Sequence, residues 1–215
     1  MYKKQMTAQK VICLLSIIAS VVLFIYALGL STDVYDYLKT PILPERANAA
    51  LDHMKTVNPE KYAGVETGSD FIGIGIYEEM NDFNKDLLFV AVGSILLALL
   101  LYITNTASRR RYYIGNYVAV AVNAAYNTAA VLWMHEKVSA FKAQYLKLDF
   151  DAIKWIYKEK VQTDFDMTTF WFDIQYLVLA LSLLAAVLLI LNTIWKIILM
   201  KEEKGLVQAG KEQAA

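Results

Sequence analysis

The chain has one cysteine, three prolines, two histidines and no net charge. A single cysteine forms no intrachain disulfide, and Cys13 sits inside an apolar run, so no loop is stapled and no CxxC or cysteine metal set exists. The histidines, His53 and His135, fit no ligand spacing; His135-Glu136 lacks the second histidine that a zinc helix carries four residues after the first. Gly73 and Gly75 lack the third glycine and following helix of a dinucleotide site. There is no nucleophile elbow and no phosphate loop. These absences leave no catalytic residue, metal ligand or cofactor site to name, and the chain reads as non-enzymatic. With 21 basic and 21 acidic residues, nothing in the total charge points to nucleic acid.

What the chain has in abundance is long apolar runs. Hydrophobic residues make up 57% of it. Four segments, 11–30, 87–104, 114–134 and 174–194, are long enough to cross about 30 Å of hydrocarbon at about 1.5 Å per residue. The first is 20 residues long, longer than the apolar core of a signal peptide, and is expected to remain as a span.

Orientation follows from where the basic residues lie. Lys3, Lys4 and Lys10 precede the first span, Arg109, Arg110 and Arg111 separate the second from the third, and Lys196, Lys201, Lys204 and Lys211 follow the fourth. Segment 31–86 instead holds 11 acidic and 5 basic residues. Lysine and arginine beside span ends stay cytoplasmic. The expected map is therefore a multi-pass protein of the plasma (inner) membrane with both termini inside. Segments 1–10, 105–113 and 195–215 are then cytoplasmic, and 31–86 and 135–170 lie outside. Aromatic residues mark both edges: Tyr26, Trp133 and Phe170-Trp171-Phe172 the outer, Tyr102, Tyr112, Tyr113 and Trp195 the inner.

The outer segments carry helical periodicity. Ile76, Met80, Phe83 and Leu87 make an apolar seam that runs without Gly or Pro into the second span, predicting one helix from about Tyr77 to Thr104. Met134, Val138, Phe141, Tyr145 and Leu148 continue the third span, predicting a helix from Arg111 to Leu148. Asp149 reads as the N-cap of a short helix carrying Phe150, Ile153, Ile156, Tyr157 and Val161, and Asp166 with Thr168 and Thr169 as the start of the fourth long helix. Glu45–Val57 reads as a short helix with Pro44 near its first position; residues 58–75 read as loop, with an extended piece at Phe71–Ile76. The expected fold is all-α: a four-span transmembrane helical bundle, its second and third helices extending into an outer helical cap.

The candidate functional residues are polar and intramembrane. Asn116, Asn123 and Asn127 lie within about 20° of one line along the third span. An unpaired amide in hydrocarbon costs several kcal/mol, so the stripe faces protein or water. It lines a path, hydrogen-bonds to neighbouring helices or forms a contact seam between subunits. Asp173 is the one acid near a span, at its outer edge, and Asn192 lies near the inner end of the same helix. Small residues gather at Ser16, Ala19 and Ser20, at Gly93 and Ser94, and between Ala119 and Ala130, where helices can approach closely. The expected partners are the lipid bilayer and copies of the chain or other membrane subunits. The expected role is an oligomeric channel or transport-type subunit. The alternative is an accessory, scaffold or sensor subunit that binds a partner through its outer cap.

Overall fold

A computed structural model of the chain describes residues 2–36, 43–68, 74–107, 114–157 and 169–212. The fold is all-α, with no strand among the described residues: α1 Tyr2–Asp36, α2 Pro44–Val57, α3 Pro59–Tyr62, α4 Ile74–Ala107, α5 Ile114–Tyr145, α6 Phe150–Tyr157 and α7 Phe170–Glu212. Four of these hold stretches long and apolar enough to cross a membrane: Lys4–Ser31, Glu79–Asn105, Tyr117–Tyr145 and Phe170–Ala209. At 35, 34, 32 and 43 residues, α1, α4, α5 and α7 each exceed the length that hydrocarbon alone requires.

Several local expectations change. Ile74–Ile76 begins α4 rather than forming an extended piece, and Pro59–Tyr62 is a helical turn rather than loop. The turn forms because Asn58 caps it, its side chain accepting from the Lys61 N–H. Helix α5 stops at Tyr145, so Leu148 lies beyond it. There the amides of Lys147 and Leu148 bond to carbonyls three residues back, and Asp149 leaves helical geometry to cap α6 by accepting from the Ala152 N–H. The expected Arg109–Arg111 loop, Val161, Asp166 and Thr168 fall outside the described residues.

Contacts divide the chain into two compact units. The first comprises Met1–Ile25, Leu88–Met134 and Tyr176–Ala215; the second comprises Tyr26–Leu87 and His135–Gln175.

In the first unit the buried positions of the four long helices recur at three- and four-residue steps. On α1 they are Gln5, Gln9, Cys13, Ser16, Ser20 and Leu23; on α7, Val178, Ser182, Ala185, Leu189, Asn192 and Lys196. Much of this interior is polar or small. The exterior is the reverse: Val11 (62% exposed), Phe89 (78%), Leu96 (62%) and Leu177 (64%) point away from the protein. At Gly93 a Cβ would come within 2.5 Å of the Tyr126 hydroxyl, which donates to the Val90 carbonyl at 3.0 Å, so this glycine sets a close approach of α4 and α5.

The second unit has an apolar interior. Helices α2, α3 and α6 bury Ala47, Ala50, Leu51, Met54, Tyr62, Ala152, Ile153 and Ile156 together, with Leu148 and Val65 packed against them. Leu148 thus leaves the α5 seam and joins this cluster. Phe83 meets Phe141 at 5.5 Å between ring centroids, and Tyr145 meets Phe150 and Phe172, each at 5.0 Å. Outward positions on α2 and α6 are polar in the main, Glu45, Arg46, Asn48, Asp52, Asp151 and Lys154 among them.

Candidate functional site

Two polar groupings lie inside the first unit. The middle one contains the asparagine stripe. Asn123 is 1% exposed, and its Oδ1 accepts from the Ser16 hydroxyl at 3.0 Å. Ser94 donates to Asn127 Oδ1, and its Oγ lies 2.7 Å from Ser20 Oγ, which itself donates to the Ser16 carbonyl. The serine pair thus carries two protons for three contacts, so one is shared, and α1, α4 and α5 are knitted into a single network. Asn127 Nδ2 donates back along α5 to the Asn123 carbonyl at 2.9 Å, leaving the buried Asn123 Nδ2 as the donor without a partner. Asn116 lies in the first turn of α5, and its side chain falls outside what is described. The small residues Ser16, Ser20 and Ser94, read from the sequence as close-packing sites, are also the hydrogen-bond partners of the stripe.

The second grouping lies toward the N-terminus of α1. Gln5 Nε2 donates to Gln9 Oε1 at 3.0 Å and to Asn192 Oδ1 at 3.3 Å. Gln9 Nε2 donates to the carbonyl and the side-chain oxygen of Asn105, both at 3.0 Å. Gln5 Oε1 is buried without a partner. A narrow cleft opens here, lined by Gln9, Asn105, Tyr117, Asn192, Thr193 and Lys196 and by Cys13, Val120 and Leu189, with a cavity of about 10 Å³, room for one water-sized group. Lys196 is 7% exposed, and among the described residues no carboxylate pairs with it. Its ammonium lies 5.3 Å from the centroid of the Tyr117 ring, whose face attracts a cation.

This cluster was missed from the sequence, where Lys196 is one of the lysines that follow the fourth span and Asn192 a polar group near the inner end of the same helix. Helix α7 instead continues to Glu212 and turns Lys196 inward. The available signal was the run Gln5, Gln9, Cys13, Ser16, Ser20, which puts polar and small residues on one face of α1.

The remaining candidates belong to the second unit. Met134, which ends the first unit, and Val138, Phe141 and Tyr145 are all buried. Asp173, in the first turn of α7, is half exposed; its carboxylate accepts from Lys142 Nζ at 2.5 Å and from the Thr169 hydroxyl at 2.7 Å. That charge also suits the positive end of a helix. His135 lies 3.1 Å from Gln175 Oε1. Asp149 holds α3 against α6, accepting from the Tyr62 hydroxyl at 2.5 Å and from Lys61 Nζ at 2.9 Å. Burial opposes the charged form of Asp149, but the bonds from Tyr62, Lys61 and the Ala152 amide outweigh it and hold the carboxyl below its ordinary range. Burial in turn pushes the Tyr62 phenol up. No group of three or more His, Cys, Asp or Glu among the described residues is placed to hold a metal ion. No protein-family model, curated protein or solved structure matches this chain, so its chemistry is read from its own geometry.

Proposed function

We propose that the chain is a non-enzymatic four-span membrane protein of the plasma (inner) membrane, both termini cytoplasmic. In this reading it serves as an accessory or scaffold subunit, and its second unit offers a helical docking surface outside. Support for the membrane comes from the first unit, with amides and serines inside and bare aliphatic side chains outside. That arrangement is unfavourable in water and natural in lipid. Support for an accessory role over a channel rests on one observation: Asn123 and Asn127 are buried in a single copy and bonded to Ser16 and Ser94. Asparagines engaged in this way knit helices and do not face a water-filled path. On the second unit, Trp155 is exposed and stacks on His53 at 4.9 Å, giving an amphipathic contact point suited to an interface.

The channel reading keeps one observation in its favour. The acid-rich segment 31–86 would concentrate cations near a mouth. Liposome flux and single-channel recordings on wild type and Asn123→Leu decide between the two. The accessory reading expects no current from either, with the variant less stable by about 1 kcal/mol for a lost membrane hydrogen bond. A wild-type current that the variant abolishes, with oligomer size unchanged, would restore the channel.

A further inference from the structure

We infer that the cleft around Lys196 is a binding site for a phosphate-bearing anion, with Lys196 taking a non-bridging oxygen. The inference rests on the membrane reading above and adds to it a ligand.

Two observations carry it. First, Lys196 is more than nine-tenths buried, and no carboxylate among the described residues neutralises it. An enclosed lysine without a counter-ion is costly, and an anion supplied from elsewhere would offset that cost. The Tyr117 ring offsets a part of the charge only. Second, no acid lines the cleft to repel an anion; five polar side chains, Asn105 and Asn192 among them, share the lining with Cys13, Val120 and Leu189.

Size narrows the ligand further. A cavity of about 10 Å³ admits one oxygen, not a whole molecule. The body of the ligand must therefore stay outside, as a phosphodiester does when one oxygen dips into the cleft. Lys196 lies two residues past the predicted fourth span, beside Trp195, at the depth where lipid phosphates lie under the proposed orientation. An anionic lipid headgroup and a soluble phosphate share this chemistry, and the experiment separates them.

The full-length chain is placed in nanodiscs of mixed phosphatidylglycerol and phosphatidylcholine, and retained lipid is read by native mass spectrometry. Wild type should keep the anionic lipid in preference to the zwitterionic one. Lys196→Met, close in length and apolar, should weaken that retention about tenfold to a hundredfold, the scale of a lost charged hydrogen bond. Lys201→Met, at an exposed position on the same helix, should leave it unchanged. If inorganic phosphate displaces the lipid from wild type and not from Lys196→Met, the site stands and takes soluble phosphate as well. Equal retention by wild type and Lys196→Met, or no preference for the anionic lipid, overturns the site. Failure of the chain to enter nanodiscs would instead overturn the membrane reading.

Discussion

The two units share α1, α4, α5 and α7, to which the second adds α2, α3 and α6, and they are opposite in their packing. The first buries Gln5, Gln9, Ser16, Ser94, Asn123, Asn127 and Lys196 and exposes Val11, Phe89 and Leu96; the second buries Leu51, Met54, Ile153 and Phe141 and exposes Glu45, Asp52, Asp151 and Lys154. On the proposed membrane reading the two units meet different solvents. In water, burying apolar area stabilises at roughly 25 cal/mol per Å², which suffices for the second unit. In lipid, apolar surface gains nothing by association, and helices are held by close packing and interhelical hydrogen bonds. The first unit has both, at Gly93 and in the Ser16–Asn123 and Ser94–Asn127 contacts. The inversion lies within single helices: α5 carries Asn123 and Asn127 in one unit and Val138, Phe141 and Tyr145 in the other.

The largest expected effect breaks the second unit. Phe141→Asp puts an unpaired carboxylate against Phe83 and should destabilise this unit by about 2–5 kcal/mol, read as lost hydrogen-exchange protection in α4 and α5. Lys137→Asp, on an exposed position of the same helix, should be near neutral. Equal losses would mean that the seam is not what holds α5.

Next in size is a charge on the outside of the first unit. Leu96 is 62% exposed and lies mid-run in α4, so in water Leu96→Lys would be silent or mildly favourable. In lipid it should cost about 3 kcal/mol, measured as impaired membrane insertion. Asp52→Lys, on the exposed face of α2, serves as the control for the second unit. A silent Leu96→Lys would remove the main support for two solvents.

Legibility from the sequence divides along the same line. The apolar seams could be read because burial in water imposes a 3.6-residue period on large side chains, and Ile76, Met80, Phe83 and Leu87 obey it. Inside the apolar runs most positions are hydrophobic, and the period is lost against that background. Only the polar exceptions report which face is buried, and among these the stripe of Asn123 and Asn127 was visible. Its serine partners on α1 and α4 were recognised as small residues, and their hydrogen bonds emerge only from the packing. Gln5, Asn105 and Lys196 stand far apart in the chain and close to span ends, where such residues usually reach for water. The end of α5 at Tyr145 depends on Asp149 serving as a cap while also bonding Tyr62 and Lys61, a tertiary demand that periodicity does not carry.

The smallest effect concerns Asp149 and sharpens the contrast, because it exists only where the packing is that of water. The folded protein holds this carboxyl below its ordinary range through the Tyr62, Lys61 and Ala152 bonds, against the cost of burial. A carboxyl whose pKa falls on folding contributes stability that is fully present above its unfolded value, about 3.9, and is lost as the pH drops through the folded value. Thermal unfolding of the second unit, followed by circular dichroism between pH 7 and pH 3, should therefore show wild type more stable than Asp149→Asn at neutral pH. The gap should begin to close below about pH 5 and shrink steadily with further acid. Asparagine retains the cap on α6, so helix formation is preserved and the difference isolates the charge. Lys61 is largely exposed, so the neutral-pH gap belongs at the modest end of ion-pair contributions, about 1 kcal/mol or less. A gap that stayed constant from pH 7 to pH 3 would show that Asp149 acts through shape alone and that its ionisation does not hold α3 to α6.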